Sequence, residues 1–411
     1  MSDTPHGTAG EAPSPPAGHT YVGDSSGRGG FAAPPAPVNH FCTYFDRNFL
    51  VQGMALADSV RRNDPSSVLW VLCLDDFSRD YLAELGEPRI RPVALAELEA
   101  HDPELRSAKS RRTRVEYYFT LSPCWPRHLL RTVPGLNRIT YLDADMYWFA
   151  SPCEALEEIG DGSVLITEHR HPDFLRHHRR FGRFNVGLLS FRNDAVGIAC
   201  LEWWRNRCLE WCEDRVDGNR YADQRYLDQW PARYGAAVRI SRRAGVNLAP
   251  WNWAGHHYHC AAHRVFVDGQ PLELFHFARF RPERGTWLFQ SGQLEYGVMP
   301  WTLRQRIYGR YWEALRDARA RIRRLRPGFD FPARSSRGWH QFWRAFLPRA
   351  VFGSDWLRVG SVFISGRFGL GQHSGRVLST LRGLRRPKAD AERETAEQPM
   401  PQPNALPESR S

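Results

Sequence analysis

Between Val38 and Ile240 the apolar positions follow two periods in alternation. Short runs of apolar, β-branched and aromatic residues read as buried strands: VNHFCTYF (38–45), SVLWVLCL (67–74), RITYL (138–142), SVLIT (163–167), FNVGLLSF (184–191) and AAVRI (236–240). Between them apolar residues return every three or four positions, the spacing of a helix with one buried face. One helix is predicted from about Phe49 to Arg62, capped by Asn48. Another starts at SPCEAL, where Ser151, Pro152 and Glu154 match a capping box with proline in the first turn. A third runs from about Ala195 to Arg215, with Leu201, Trp204, Cys208, Trp211 and Cys212 as its buried stripe. Strands alternating with helices predict an α/β fold, a single Rossmann-type domain around a mostly parallel sheet covered on both faces.

The pattern changes at both ends of the 411-residue chain. Residues 1–37 are Pro, Gly, Ser and Ala with almost no large apolar side chain, so burial cannot offset the entropy of ordering and disorder is expected. The tail 387–411 has the same character, which leaves a catalytic-size domain at 38–300 and an extension at 301–386. In that extension Leu303, Ile307, Tyr311, Leu315, Ala318, Ile322 and Leu325 share one helical face, while arginines crowd the others. This basic amphipathic helix either packs its apolar face on the domain or, with Trp339, Phe342, Trp343 and Phe346, docks on an anionic membrane surface. No basic start leads into an apolar run, and no stretch approaches the ~18 apolar residues of a spanning helix. The expected location is cytoplasmic, peripheral at the inner face of the cell membrane if the second reading holds.

A net charge of +11 favours anionic partners, and without a nucleic-acid-reading motif these are nucleotides or phospholipid headgroups rather than nucleic acid. The eight cysteines include no C-x-x-C pair, and Cys208 and Cys212, one helical turn apart, read as core residues. A mononucleotide-type sheet suggests nucleotide binding, yet the first strand-to-helix turn lacks G-x-G-x-x-G. The one similar cluster, GRFGLGQHSG (366–375), has Ser374 in place of the third glycine and opens no clear βαβ unit. Phosphates must be held in another way.

The stretch RITYLDADMYWF (138–149) offers one. It puts Asp143 and Asp145 at the carboxyl end of a predicted strand, where open α/β sheets place their ligands. Two unit charges about 4 Å apart repel by roughly 1 kcal/mol in water and about 4 at an effective dielectric of ~20. A solvated turn tolerates that, whereas a half-buried pair calls for a cation. Mn²⁺ or Mg²⁺ on these carboxylates would bridge to a diphosphate.

Further motifs surround this pair in a fixed order: FCTYFDRNFLVQGMALADSV, SRRTRVEYYFTLSP, ITEHRH, FGRFNVGLLSFRND, LEWWRNRCLEWC, YADQRYLDQWP, GVNLAPWNW and LFHFARFRP. With them, Val38 to Pro282 resembles the metal-dependent nucleotide-sugar glycosyltransferases of the GT-A fold, above all glycosyltransferase family 8 and its uncharacterised bacterial relatives. The resemblance implies a GT-A-like domain whose first strand, with Thr43 and Tyr44, contacts the nucleotide. It implies that Asp143 and Asp145 hold the metal, with Asp143 also near the ribose, and that His276 completes the metal site from a distant part of the chain. Without the resemblance His276 reads as a buried histidine ending an apolar strand. The family's phosphate-contacting lysine is absent here, and Arg279 or Arg281 is its replacement, unless both are solvated. Asn185 and Gly187 match an Asn-x-Gly on the sugar side, with the glycine allowing close backbone approach. Asp223 and Gln224 match an acid–amide pair lining the sugar pocket, where such groups satisfy hydroxyls as donors and acceptors; Asp223 could instead cap a helix. Trp251, Asn252 and Trp253 present aromatic faces to an acceptor or pack the core.

The expected activity is metal-dependent transfer of a sugar from a nucleoside-diphosphate sugar to a cell-envelope polysaccharide, a glycolipid or another carbohydrate acceptor, with retention of the anomer favoured by the resemblance. A Mg²⁺-dependent nucleotidyltransferase or phosphohydrolase also needs paired carboxylates. A catalytically silent sugar-nucleotide-binding protein is the non-enzymatic alternative.

Overall fold

The computed structural model describes residues 38–282, 288–290, 296–297, 299–330, 355–359 and 362–365, with side chains for 38–280, 296–297 and 299–330. The expectations for 1–37, for the aromatic residues Trp339 to Phe346, for the glycine cluster 366–375 and for the tail 387–411 lie outside the described residues, as does the side chain of Arg281.

Each predicted strand forms. The central sheet is built from β1 (His40–Phe45), β2 (Val68–Cys73), β3 (Ile90–Ala94), β4 (Arg138–Leu142), β6 (Val164–Glu168), β7 (Phe184–Arg192) and β8 (Val238–Ile240), in the order β3-β2-β1-β4-β7-β6-β8. Neighbouring pairs are parallel except where β7 lies antiparallel between β4 and β6. The chain is therefore the α/β fold with a mostly parallel sheet that the alternating pattern predicts.

Both faces are covered because successive strand residues point to opposite sides. Phe41 and Phe45 of β1 and Leu142 of β4 enter one core with the helix Leu50–Asn63. Cys42 of β1 and Ile139 and Tyr141 of β4 enter the other with the helices Arg114–Thr132 and Ala195–Glu210. Leu201, Trp204, Cys208, Trp211 and Cys212 are all buried there, although the helix ends at Glu210, short of the expected Arg215.

Some local signals resolve differently. The first helix starts at Leu50 without a side-chain cap, because the Asn48 amide bonds the Asp46 carboxylate instead. The helix Cys153–Glu157 likewise has no side-chain cap, and the Ser151 hydroxyl accepts from the Cys153 amide. A complete capping box forms at Thr113 and Glu116, ahead of the helix Arg114–Thr132.

The amphipathic segment after Pro300 forms Trp301–Arg304, a π turn at Gln305–Gly309 and the helix Arg310–Leu325. Leu303, Ile307, Tyr311, Leu315, Ala318 and Ile322 are at most 3 % exposed and share a core with Leu50–Asn63. Arg321 binds Asp58 of that helix through two hydrogen bonds of 2.9 and 2.7 Å. The apolar face thus packs on the domain, which removes it from any bilayer. Among the described residues no helix is long and apolar enough to cross a membrane.

Candidate functional site

After β4 the chain passes through Asp143 and Asp145 and enters the short strand β5 (Met146–Trp148). β5 pairs antiparallel with β9 (Leu274–His276), and the register sets Met146 opposite His276. This two-stranded ribbon brings a histidine 131 positions away in sequence beside the carboxylates, as the numbering of Asp145 and His276 shows. The Phe277 amide also donates to the Asp145 carbonyl at 2.8 Å, which fixes the join. One ligand atom each from Asp143, Asp145 and His276 lies within 4.8 Å of the others.

The partner strand is shaped for this. β7 pairs with β6 up to Leu189↔Ile166, then resumes only at Asn185↔Thr167. The intervening residues bulge towards β4, where Leu188 pairs with Leu142 and the Gly187 carbonyl accepts from the Asp143 amide at 3.0 Å. Bulges re-aim side chains beside functional sites. Here the bulge turns Asn185 inwards and presses Gly187 against His276.

Asn185 is held on every side. Its Oδ1 accepts from the Gly187 amide at 3.0 Å and from Asn247 Nδ2 at 3.2 Å, and lies 3.4 Å from His276 Nδ1. Its Nδ2 donates to Gln224 Oε1 at 3.2 Å and lies 3.4 Å from His169 Nε2. His169 Nδ1 is 3.3 Å from the Arg183 carbonyl, an acceptor, so the proton belongs on Nδ1 and Nε2 receives Asn185. Burial, reinforced by the neighbouring His171, keeps His169 neutral, with its pKa down to about 3. With the Asn185 amide oriented in this way, its oxygen can only accept from His276 Nδ1. The network therefore assigns the His276 proton to Nδ1 and leaves Nε2 facing the carboxylates.

His276 Nε2 is 3.1 Å from Asp145 Oδ1 and 3.6 Å from Asp143 Oδ2. Burial opposes protonation of His276, but Asp145 and then Asp143 outweigh it and raise its pKa. The Asp143 carboxyl is raised by burial and by Asp145, against the pull of His276 and of the Tyr141 hydroxyl. That hydroxyl donates to Asp143 Oδ1 at 2.8 Å and leaves Oδ2 turned towards the histidine. In this arrangement a proton shared by Nε2 and a carboxylate sits where positive charge is needed. Two carboxylates and one imidazole at this spacing fit a divalent cation such as Mn²⁺ or Mg²⁺, which would displace that proton.

The other expected residues divide. Asp223 is buried and its pKa is pushed up to about 7 by burial and by the Asp143 charge, against a hydrogen bond with Ser122. It caps no helix, since the turn Arg225–Gln229 begins after Gln224 without a side-chain cap. Gln224 donates to the Phe181 carbonyl at 2.9 Å and accepts from Asn185, so it braces the site. Tyr44 reaches Ser122 Oγ at 3.1 Å and its ring packs 5.8 Å from that of Tyr141. Thr43 is fully buried one residue earlier, its Oγ1 with no hydrogen-bond partner among the described residues, and no described contact joins it to the metal cluster. Arg279 is exposed, in a left-handed backbone conformation (φ 64°), with its guanidinium 5.9 Å from the centre of the Tyr296 ring. Trp251 is buried and meets His276 edge-on at 5.1 Å. The Asn252 side chain bonds the His169 and Asn247 carbonyls and the Ala249 amide, and so organises its own loop.

Tyr141, His169 and Asn247 join the site without having been singled out from the sequence. His169 and Asn247 lie in the ITEHRH and GVNLAP motifs, which placed them in order but gave no geometry.

No described protein family's profile matches the chain. Two proteins of Bacillus subtilis (strain 168) do match: YfnF, 33 % identical over 251 residues that make up 59 % of this chain and 81 % of that protein, and YfnD, 32 % identical over 244 residues, 59 % and 78 %. The chain belongs to the YfnF/YfnD family. Both relatives are described as uncharacterised, so membership of the YfnF/YfnD family brings no activity with it. Solved structures similar to this family member include a galactosyltransferase, LgtC, in complex with donor and acceptor sugar analogues (16 % identity, TM-score 0.44, 68 % of this chain and 95 % of that one). Mouse xyloside xylosyltransferase 1 (15 %, 0.38, 58 % and 97 %) and the glycosyltransferase GlyE of Streptococcus pneumoniae TIGR4 (14 %, 0.38, 72 % and 66 %) are also similar. At these scores the likeness says nothing of chemistry.

Proposed function

We infer that the protein is a metal-dependent glycosyltransferase that uses a nucleoside-diphosphate sugar as donor and a carbohydrate or glycolipid as acceptor. The observation that carries this reading is the convergence of Asp143, Asp145 and His276 at the carboxyl edge of the sheet, with the His276 proton directed to Nδ1 by Asn185.

Asp143 Oδ2, Asp145 and His276 Nε2 would hold the divalent cation. When bound, the cation supplies Lewis-acid stabilisation of the negative charge that develops on the departing diphosphate. The chain's own part is to position. Tyr141 fixes which Asp143 oxygen faces the cluster, Asn185 fixes the His276 ring, and the ribbon of β5 and β9 fixes the distance between carboxylates and imidazole. Arg279 and Arg281 are proposed to add hydrogen bonds to the diphosphate, and Thr43 and Tyr44 to border the nucleotide. Asp223, with Gln224 and the Asn185–Gly187 turn, is proposed to line the sugar pocket; a carboxyl with a pKa of about 7 can donate to or accept from a sugar hydroxyl near neutrality.

The test is incubation with Mn²⁺ and, in turn, UDP-, GDP- and dTDP-sugars, with products separated by ion exchange. Release of the nucleoside diphosphate supports glycosyl transfer. Release of inorganic phosphate or of a nucleoside monophosphate instead places the protein among Mg²⁺-type phosphohydrolases.

A further inference from the structure

Beside the cluster of Asp143, Asp145 and His276, the chain from His169 to Arg183 reads HRHPDFLRHHRRFGR and contains a single carboxylate, Asp173. Its centre is a 3₁₀ helix, Asp173–Phe181, which buries Leu175 and His178 and exposes Phe174, Arg176, His177, Arg179 and Arg180. Leu175 packs with Ala249, Trp251 and Tyr296 in a small separate core, and Trp251 in turn meets His276. The cationic surface is therefore rooted in the wall of the candidate site.

Several arginines of this domain pair with carboxylates. Arg183 pairs with Glu168, Arg205 with Asp102 and Glu104, Arg243 with Glu154 and Glu273, and Arg321 with Asp58. Arg176, Arg179 and Arg180 have no carboxylate partner among the described residues. Arg180 lies over the Phe181 ring at 4.8 Å, and the half-buried Phe181 and Tyr221 rings meet at a tilt with centres 4.8 Å apart, so charge and aromatic groups adjoin at the surface. Unpaired guanidinium groups beside aromatic rings suit carboxylates or phosphodiesters carried on sugar rings, since each guanidinium can donate two hydrogen bonds to such an anion while the sugar rings stack on aromatic faces.

A bilayer surface fits less well. Membrane-seated faces present a row of large apolar residues, whereas Phe174 is the only large exposed apolar residue of this segment, and the amphipathic helix Arg310–Leu325 has buried its apolar side.

We propose that the acceptor is an anionic glycan, bearing carboxylate or phosphodiester groups, held along the surface of Arg176, Arg179 and Arg180. The proposal rests on the reading of the neighbouring site as that of a glycosyltransferase.

Binding of fluorescent polygalacturonate and of a poly(glycerol phosphate) is measured by anisotropy at low and at physiological salt, against dextran of equal length and against vesicles of phosphatidylcholine with phosphatidylglycerol. The full-length protein is compared with the triple variant Arg176→Gln/Arg179→Gln/Arg180→Gln. A second triple variant, Arg310→Gln/Arg316→Gln/Arg324→Gln, removes the same charge from the exposed side of the C-terminal helix. Melting temperatures confirm that both fold. The expected result is at least roughly tenfold tighter binding of one polyanion than of dextran, lost about tenfold in the first variant and kept in the second. Equal binding of dextran, equal loss in both variants, or equally tight and equally arginine-dependent vesicle binding overturns the proposal. Binding of nucleoside diphosphate with Mn²⁺ is read on the same preparations. If wild type lacks it, the glycosyltransferase reading fails; if wild type has it but shows no preference for the charged glycans, only the acceptor proposal fails.

Discussion

Gly187 sits so close to His276 that a Cβ at this position would lie 2.7 Å from the imidazole Nδ1, and 2.6 Å from Asn185 Oδ1. No side chain fits without moving one of the two groups that define the cluster. Gly187→Ala is therefore expected to weaken Mn²⁺ binding at least tenfold while costing about 1 to 3 kcal/mol of stability, the usual range for overpacking. Calorimetric titration with Mn²⁺ and a denaturant melt check both. Unchanged Mn²⁺ affinity would mean that His276 is no ligand.

Asn185→Ala tests the same imidazole from its other nitrogen. Outer partners of a ligating histidine are typically worth 10–100-fold in metal affinity. A loss in that range is expected by titration, together with roughly 1 to 3 kcal/mol of stability, because the Gly187 amide, Asn247 and Gln224 lose a buried hydrogen-bond partner. An unaltered affinity would remove Asn185 from the positioning network.

The C-terminal helix supports the site from behind. Tyr311 stacks on Phe277, the residue after His276, with ring centres 3.7 Å apart and planes inclined by 11°. Tyr311→Ala should cost roughly 3 to 5 kcal/mol, as large buried aromatics do. Removal of everything after Pro300 should leave an unfolded or molten domain by near-UV circular dichroism. A truncated protein that melts cooperatively at the wild-type temperature would show that the helix is an appendage.

The degree to which the sequence disclosed all this follows from how local each signal is. Strand and helix identities were legible because periodicity is written in neighbouring residues, and Asp143 and Asp145 stood out because two charges interrupt an apolar run. The caps at Asn48 and Ser151 misled because Asp46 and the Cys153 amide compete for the same polar groups. His276 could be named only through the resemblance, since the β5–β9 pairing that delivers it is non-local. The network of Asn185, His169 and Asn247 arises from a bulge in β7, and a bulge leaves no periodic trace. The helix Arg310–Leu325 was legible as amphipathic, but its pattern does not say which apolar surface covers it.

A pH dependence follows from Asp223. Its carboxyl has a pKa of about 7 in the folded protein against an ordinary 3.8, raised by burial and then by Asp143. A raised carboxyl favours the folded state fully below the unfolded pKa, and that contribution is lost as pH rises through about 7. Without metal or nucleotide, stability of the wild type relative to Asp223→Asn should fall between roughly pH 4 and pH 8. Thermal melts across that range check the sign. Parallel curves for the two proteins would show that Asp223 is ionised in the folded state throughout.

The most direct measurement of the central claim is a thermal-shift panel of UDP-, GDP- and dTDP-sugars with and without Mn²⁺, on the wild type and on Asp143→Asn and Asp145→Asn. A ligand at 100 times its dissociation constant stabilises by about 2.7 kcal/mol, a shift that melting curves resolve. The expected result is that at least one nucleotide sugar raises the melting temperature only when Mn²⁺ is present, and that neither variant shows the rise although both fold. A nucleotide sugar that stabilises the wild type equally without metal, a rise retained in either variant, or no stabilisation by any member of the panel would contradict it.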